Sequence, residues 1–357
     1  MDLFAPSLVS ALIPAAVTFA IGIAITPFIT HYLYHHKAWK KSAGKRALDG
    51  STAAVFNDLH KHTEVRAPRM GGIVIWASVV LAVLLFRAIA ILWPTPFTFA
   101  LDFLSRSQTW IPLATLVIGA LVGLIDDILT IGTRGEGLRL RARLAIVVVL
   151  SAYVGWWFYA KLGFTALMLP WGGIVPLGAL IVPLFIVISL ALYASGVIDG
   201  IDGLSGGVFA PIFTGYAVIA FAQGQSDLAA LCASIAGALL AFLWFNIPPA
   251  RFYMSDTGTM GLTLALAAIA FLTDTPGGGV GVSVLPIIGF VLVATVASNL
   301  LQVFWKRVFG HKLLRVAPLH HHFEAIGWPG YKVTMRYWIV SAMSTFVGVI
   351  VALSAIH

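Results

Sequence analysis

Five aspartates and a run of histidines carry the chemistry available to this sequence. Asp199 and Asp202 lie in Ser195-Gly-Val-Ile-Asp-Gly-Ile-Asp-Gly-Leu-Ser-Gly-Gly207, directly after a long apolar run. An acid beside a membrane is costly unless it is paired, solvated or bound to a cation. The glycines around it let a ligand approach the backbone closely. Three residues apart, the two acids share a face if the segment is helical. They can then hold ribose hydroxyls, a metal-bound water or a basic partner; the plain alternative is a polar loop. Asp126 and Asp127 end another apolar run, in Gly-Leu-Ile-Asp-Asp-Ile-Leu. Adjacent carboxylates repel, so the pair calls for a counter-charge such as a hard divalent cation, unless it is simply a solvated helix end.

Asp256 stands in Asn246-Ile-Pro-Pro-Ala-Arg-Phe-Tyr-Met-Ser-Asp-Thr-Gly258. The two prolines end a helix. Asp256, Thr257 and Gly258 then open the next apolar run, where free N–H groups either favour a phosphate or are capped by Ser255 or Asp256. Phe252 and Tyr253 can stack on a base, or sit as interfacial aromatics. His320, His321 and His322 diverge on either a helix or a strand, which argues against a single-ion site and for phosphate or sugar recognition from a loop. Two basic clusters, Arg134, Arg139, Arg141 and Arg143, and Lys61, Arg66 and Arg69, either set topology and touch anionic lipid or clamp a pyrophosphate.

The elements that must position these residues are membrane spans. The chain has 357 residues, 60% hydrophobic and 10% charged, with a mean hydropathy of +0.96. That composition belongs to an integral membrane protein and not to a soluble domain. The net charge of +8 therefore reports the bias of Lys and Arg toward one side of the membrane, not nucleic-acid binding. Ten apolar runs reach the roughly 20 residues that a bilayer crossing needs, near 8–32, 71–93, 110–129, 144–160, 174–194, 206–221, 228–245, 258–272, 284–305 and 337–356. The fold class expected is an all-α integral membrane protein, a single polytopic domain without internal repeats.

Loops after odd-numbered spans, near 34–69, 130–143, 195–206, 246–257 and 306–336, hold 19 of the 22 Lys and Arg and eight of the 14 acids, ten with Asp126 and Asp127 at the end of the third span. The bias places these loops in the cytoplasm, both termini outside and the active site at the cytoplasmic face. A transporter would instead gather ionisable groups near the bilayer midplane. One cysteine, Cys232, excludes an intramolecular disulfide.

Taken in order, Pro68-Arg-Met-Gly-Gly72, Gly123-Leu-Ile-Asp-Asp127, Asp199-Gly-Ile-Asp-Gly-Leu204, the segment 246–258 and the histidine run closely resemble the polyprenyl-phosphate N-acetylhexosamine-1-phosphate transferase superfamily. Within it, Ala317-Pro-Leu-His-His-His-Phe-Glu324, with Gly327-Trp-Pro and Arg336-Tyr-Trp-Ile, is similar to the branch that transfers phospho-N-acetylmuramoyl-pentapeptide. The resemblance implies UDP-N-acetylmuramoyl-pentapeptide and undecaprenyl phosphate as substrates, lipid I and UMP as products, Mg2+ as cofactor, a bacterial plasma membrane and a homodimer. It makes Asp126, Asp127 and Asp256 the catalytic and metal-binding acids. Asp199, Gly200, Asp202, Asn246 and Tyr253 fall to the nucleotide, and His320, His321 and His322 to the substrate loop. The chain departs from the branch at Gly196 (usually Asn), Ile198 (Thr), Ser255 (Gly) and Thr130 (Lys). Those departures keep two alternatives open: a transferase using UDP-N-acetylglucosamine or another UDP-aminosugar, and a non-catalytic lipid-binding or transport protein.

Overall fold

In a bilayer core every backbone amide must bond within its own segment, so apolar runs of this length close into helices. The computed structural model describes residues 8–39, 67–133 and 137–355, and the protein is 76% helical. Lys61, Arg66 and Arg134 lie outside the described residues. The α-helices of seven residues or more are α1 (Leu8–His35), α2 (Ile73–Leu92), α3 (Trp110–Gly132), α4 (Leu140–Leu162), α5 (Ile181–Ser195) and α6 (Leu204–Ala222). They continue with α7 (Ser226–Asn246), α8 (Ser255–Leu272), α9 (Gly281–Ile288), α10 (Phe290–Phe309), α11 (Leu319–Ala325) and α12 (Gly330–Ser354). Among the described residues nine helices are long and apolar enough to cross a membrane, and α9 with α10, bent by 70°, makes a tenth if the pair is counted as one broken span.

Two expectations need correction. The run beginning at Ile174 does not start a span there: Ile174–Pro176 is a strand, β2, paired antiparallel with β1 (Ala166–Met168), so that Ala166 faces Pro176. Gly172 and Gly173, both at positive φ, supply the reversal between the strands. The histidine run is not a loop but the short helix α11.

α8 is the centre of the bundle, with 94% of its span buried, against 22% for α12. Its sequence explains this, because apolar and small residues surround it on every side and leave no polar face for water. It packs most extensively on α3 and also touches α5, α6 and α9. The α3 contact is close because Gly119 and Gly123 lie one turn apart on its facing side, a small-residue seam. A Cβ at Gly123 would collide with the Asp256 carbonyl. This approach sets the C-terminal turns of α3, with Asp126 and Asp127, against the first turn of α8, with Asp256.

Candidate active site

Asp127 is fully buried, and its charge is met on both oxygens. Arg69 donates to Oδ1 through Nε (3.0 Å) and Nη2 (2.8 Å). Thr257 donates to Oδ2 through its backbone N–H (3.0 Å) and its hydroxyl (2.7 Å). The free N–H expected at the head of α8 thus serves a protein carboxylate. Asp126 Oδ1 accepts from the Leu138 N–H at 2.5 Å, and Oδ2 pairs with Arg143 Nη1 at 3.3 Å. Asp256 is held loosely: its Oδ2 lies 3.5 Å from Arg69 and 3.8 Å from Arg143, and its side chain is 28% exposed. The Asp126 and Asp256 carboxyls face one another at hydrogen-bonding range.

Arg69 reaches this cluster because the 68–72 turn is laced to the loop before α8. Tyr253 N–H donates to the Pro68 carbonyl, Gly71 N–H to the Tyr253 carbonyl and Gly72 N–H to the Met254 carbonyl. Met70 takes φ 67° to make that turn. Burial works against the Arg69 charge, but Asp127, Asp256 and Asp199 outweigh it and hold the guanidinium above its ordinary pKa. Three carboxylates against two guanidiniums leave an excess negative charge, and Asp256 carries it at the cleft surface.

The 196–203 turn forms the neighbouring wall. Asp199 accepts from the Ser255 N–H (2.7 Å) and the Ser205 hydroxyl (2.8 Å). Asp202 accepts from the Ala250 N–H (3.0 Å). Asn246, buried, accepts from Gly203 N–H (3.0 Å) and donates to the Phe252 carbonyl (2.7 Å). These three residues fasten the turn to the 246–255 loop, so their first role is positioning, while Asp199 and Asp202 remain half-buried toward the cleft. Tyr253 is half-buried there as well, whereas Phe252 is fully buried against Phe242 and Phe245. Phe252 therefore belongs to the core and not to a base-stacking site.

α11 packs its histidines on the same turn. His320 and His321 are buried, and His321 Nδ1 bonds Glu324 at 2.7 Å. Glycine at 200 lets the imidazoles approach, because a Cβ would come within 2.7 Å of His321 Nε2 and 3.0 Å of His320 Nε2 and push them aside. His322 turns away and accepts the Arg315 N–H. The structure thus joins Asp126, Asp127 and Asp256 in one cluster and brings Asp199, Gly200, Asp202, Asn246, Tyr253, His320 and His321 to its flank.

Arg69 and Arg143 were not separable from their basic clusters by composition. For Arg143 a signal exists: it lies four residues before Val147 on the buried stripe of α4 that continues through Ser151. The departures from the branch pattern also find places. Thr130 is buried, and the positive charge beside Asp126 comes from Arg143. Ser255 adopts φ 58°, a conformation natural to the glycine it replaces. Ile198 is fully buried. At Gly196 a Cβ would touch Thr259 at 3.3 Å, leaving little room for a larger side chain.

Among the described residues no cluster of three or more His, Cys, Asp or Glu side chains forms a metal cage. Magnesium is commonly held without one, by one or two carboxylates together with substrate phosphates. The excess charge, the oxygen donors and the partly exposed Asp256 fit that mode. Asp127, whose oxygens already take four hydrogen bonds, fits it least.

The family model for glycosyl transferase family 4 matches residues 109–274, from the start of α3 to the end of α8, and so includes all five aspartates. The phospho-N-acetylmuramoyl-pentapeptide-transferase of Geobacillus sp. (strain WCH70) is 34% identical over 288 residues, 79% of this chain and 82% of the relative. The protein of that name from Symbiobacterium thermophilum is 35% identical over 315 residues, 85% of this chain and 87% of the relative. That of Rubrobacter xylanophilus is 33% identical over 291 residues, 79% and 82%.

Proposed function

The chain belongs to the phospho-N-acetylmuramoyl-pentapeptide-transferase family, and from that premise we propose that it transfers phospho-N-acetylmuramoyl-pentapeptide from UDP to undecaprenyl phosphate. The products are lipid I, for peptidoglycan synthesis, and UMP. The observation that carries this reading beyond family membership is the Asp126–Asp127–Asp256 cluster, tied by Arg69 and Arg143, in a multi-pass membrane protein. The 19 of 22 basic residues on one set of loops support placing the cluster at the cytoplasmic face, and family membership supports a bacterial plasma membrane.

In the reaction an oxygen of the lipid phosphate attacks the phosphorus bonded to the sugar. The bridging P–O bond breaks, and UMP leaves with the bridging oxygen. Positioning and charge stabilisation supply most of the catalysis in such a transfer. Asp256 and Asp126 would hold Mg2+, which when bound screens the pyrophosphate and stabilises the departing UMP. Arg143 and the Leu138 N–H orient Asp126 toward Asp256. Asp127 anchors Arg69 and the head of α8; using it as a nucleophile would sacrifice the two hydrogen bonds on whichever oxygen attacked. That supports direct attack over an aspartyl-phosphate intermediate. The Asp199 turn, Tyr253 and α11 flank the cluster, where the nucleotide and the peptide-bearing sugar would bind.

The test is UMP release from purified protein with Mg2+, undecaprenyl phosphate and one UDP-sugar at a time. Release is expected with UDP-N-acetylmuramoyl-pentapeptide. Equal release with UDP-N-acetylglucosamine would overturn the donor assignment, and none with any donor would overturn the enzyme. Donor labelled at the sugar-linked phosphate should leave no label on the protein without acceptor; labelled protein that disappears in Asp127→Ala would replace direct attack with the covalent route.

A further inference from the structure

Away from the acids, a cavity of about 490 Å3 opens between α3 and α4, with α5 and α8 behind it. Arg106 and Trp110 stand at the start of α3, Trp157 and Ser151 line the α4 side, and Phe185 and Leu264 close the back. Its volume is that of a ligand site. On α3 the lining runs from Trp110 to Ile118, a rise of about 12 Å. That is close to half of a hydrocarbon core about 30 Å thick, so the cavity is about one leaflet deep. Its mouth lies at the membrane face opposite the acids, because Asp127 is 17 residues beyond Trp110 on the same helix, a rise of about 25 Å.

The mouth carries an exposed guanidinium. Arg106 is exposed and takes part in none of the ion pairs among the described residues. Asp102, the neighbouring acid in sequence, is bound to Arg87 at 2.7 Å. Trp110 and Trp157 flank the opening as interfacial aromatics do at headgroup level. An apolar slot one leaflet deep, with a guanidinium at its rim, matches an acyl chain whose headgroup bears a phosphate.

We propose that this cavity binds an anionic phospholipid of the leaflet opposite the catalytic face, with an acyl chain in the slot and its phosphate on Arg106. The acceptor lipid is not the occupant, since a phosphate held at Arg106 would be about 25 Å from the reacting cluster. A lipid seated here packs against Phe185 and Leu264 at the back of the slot.

Full-length protein, stripped of lipid in detergent, is titrated with dioleoyl phosphatidylglycerol or dioleoyl phosphatidylcholine, and retained lipid is counted by native mass spectrometry. The wild type should retain one phosphatidylglycerol per chain, about five-fold in preference to phosphatidylcholine, as expected for one basic contact near the surface. Arg106→Gln should bring the ratio to about one while leaving UMP release unchanged. Ser151→Leu fills the inner end of the slot and removes a buried hydroxyl that has no hydrogen-bond partner among the described residues, so it should fold and lose the retained lipid. Ala114→Trp, from the α3 wall, should do the same, with an unchanged elution profile certifying both plugged variants. Equal retention of the two lipids by the wild type, or full retention in folded plugged variants, would overturn the proposal. Retention of undecaprenyl phosphate ahead of phosphatidylglycerol, lost in Arg106→Gln, would reassign the cavity to the acceptor and overturn it too.

Discussion

Asp127 lies against the first turn of α8 and Asp274 just beyond its last, and both are fully buried. At the far end Asp274 accepts backbone N–H groups of Met168 (3.1 Å), Thr275 (3.0 Å) and Val282 (2.9 Å), which tie β1 and the start of α9 to the end of α8. No other carboxylate joins it in those bonds, and its lone pairs are spent on the fold. At the near end Asp127 is just as fully engaged, but it shares its arginine with Asp256, which faces the cleft, while Asp126 faces Asp256. A buried carboxylate at a span end is therefore not by itself a site. The mark of a site is charge left over after the protein's own donors have been counted.

That contrast predicts a large separation in activity. Asp256→Asn should lower kcat by about a thousandfold, the scale of losing one preorganised electrostatic group, with the elution profile unchanged. Asp274→Asn should leave kcat within about two-fold, as for a substitution remote from the chemistry. UMP release under saturating substrates measures both. If the two variants lose activity equally, the excess-charge criterion does not distinguish the two ends.

Within the near end the two arginines should also separate. Arg69 contacts Asp127 through two nitrogens and reaches Asp256 as well, so a lysine, with one compact ammonium, cannot reproduce it. Arg143 makes longer contacts, 3.3 Å and 3.8 Å, through Nη1 alone. Arg69→Lys is expected to lose about a hundredfold in kcat and Arg143→Lys about tenfold or less. A reversed order would mean that Arg143 contacts the substrate and does more than orient Asp126.

Much of this was legible before the fold was known. The spans could be read because a hydrocarbon core admits few alternatives to a helix, and the acids because carboxylates at span ends are rare. Asp256 could be placed beside Asp126 only by the resemblance, since 130 residues separate them and nothing local to either predicts the Gly119–Gly123 seam that joins α3 to α8. The roles of Arg69 and Arg143 were hidden for a related reason: basic residues on one side of a membrane already have an explanation in topology, so the ones that turn inward do not stand out. Phe252 and Tyr253 cannot be told apart in sequence because adjacent aromatics look equivalent there, while a loop with only one face on the cleft presents Tyr253 and buries Phe252. The strand at Ile174–Pro176 was lost in an apolar run whose composition does not distinguish a hairpin over the bundle end from the first turn of a span.

The far end has a pH signature of its own. Burial pushes the Asp274 carboxyl up to about 6, although the N–H groups of Met168, Val282 and Thr275 pull the other way. With the folded pKa above the unfolded one, the folded state binds the proton more tightly. The resulting stability is fully present below about pH 4 and is lost as the pH rises through about 6. The thermal midpoint of the wild type should therefore fall between about pH 4.5 and 6.5 relative to that of Asp274→Asn, and the two curves should run parallel above about pH 7. Parallel curves throughout would show that the backbone amides fully offset the burial.

The smallest effect concerns strain. Among the described residues, the non-glycine residues at positive φ are Lys37, Met70 and Ser255, all at the near end, whereas Gly163, Gly172, Gly173, Gly178, Gly224 and Gly278 occupy the left-handed positions of the other end's loops. Strained backbone of this kind persists where surrounding contacts over-determine it. At Ser255 those contacts are visible: its N–H is bonded to Asp199 at 2.7 Å, and the turn delivers Asp256 into the cluster. Its hydroxyl is buried without a hydrogen-bond partner among the described residues, so the side chain contributes little to offset the backbone cost. Ser255→Gly should raise stability by about 1 kcal/mol, the cost of a left-handed L-residue. Ser255→Ala, which removes the hydroxyl but keeps the Cβ, should change stability by less than about half of that. Thermal midpoints of the pair, with UMP release alongside, separate the two causes. A gain in both variants would trace the cost to the buried hydroxyl, while a gain in glycine alone traces it to the backbone. If glycine also lowers kcat while alanine does not, the strained turn is itself what holds Asp256 in place.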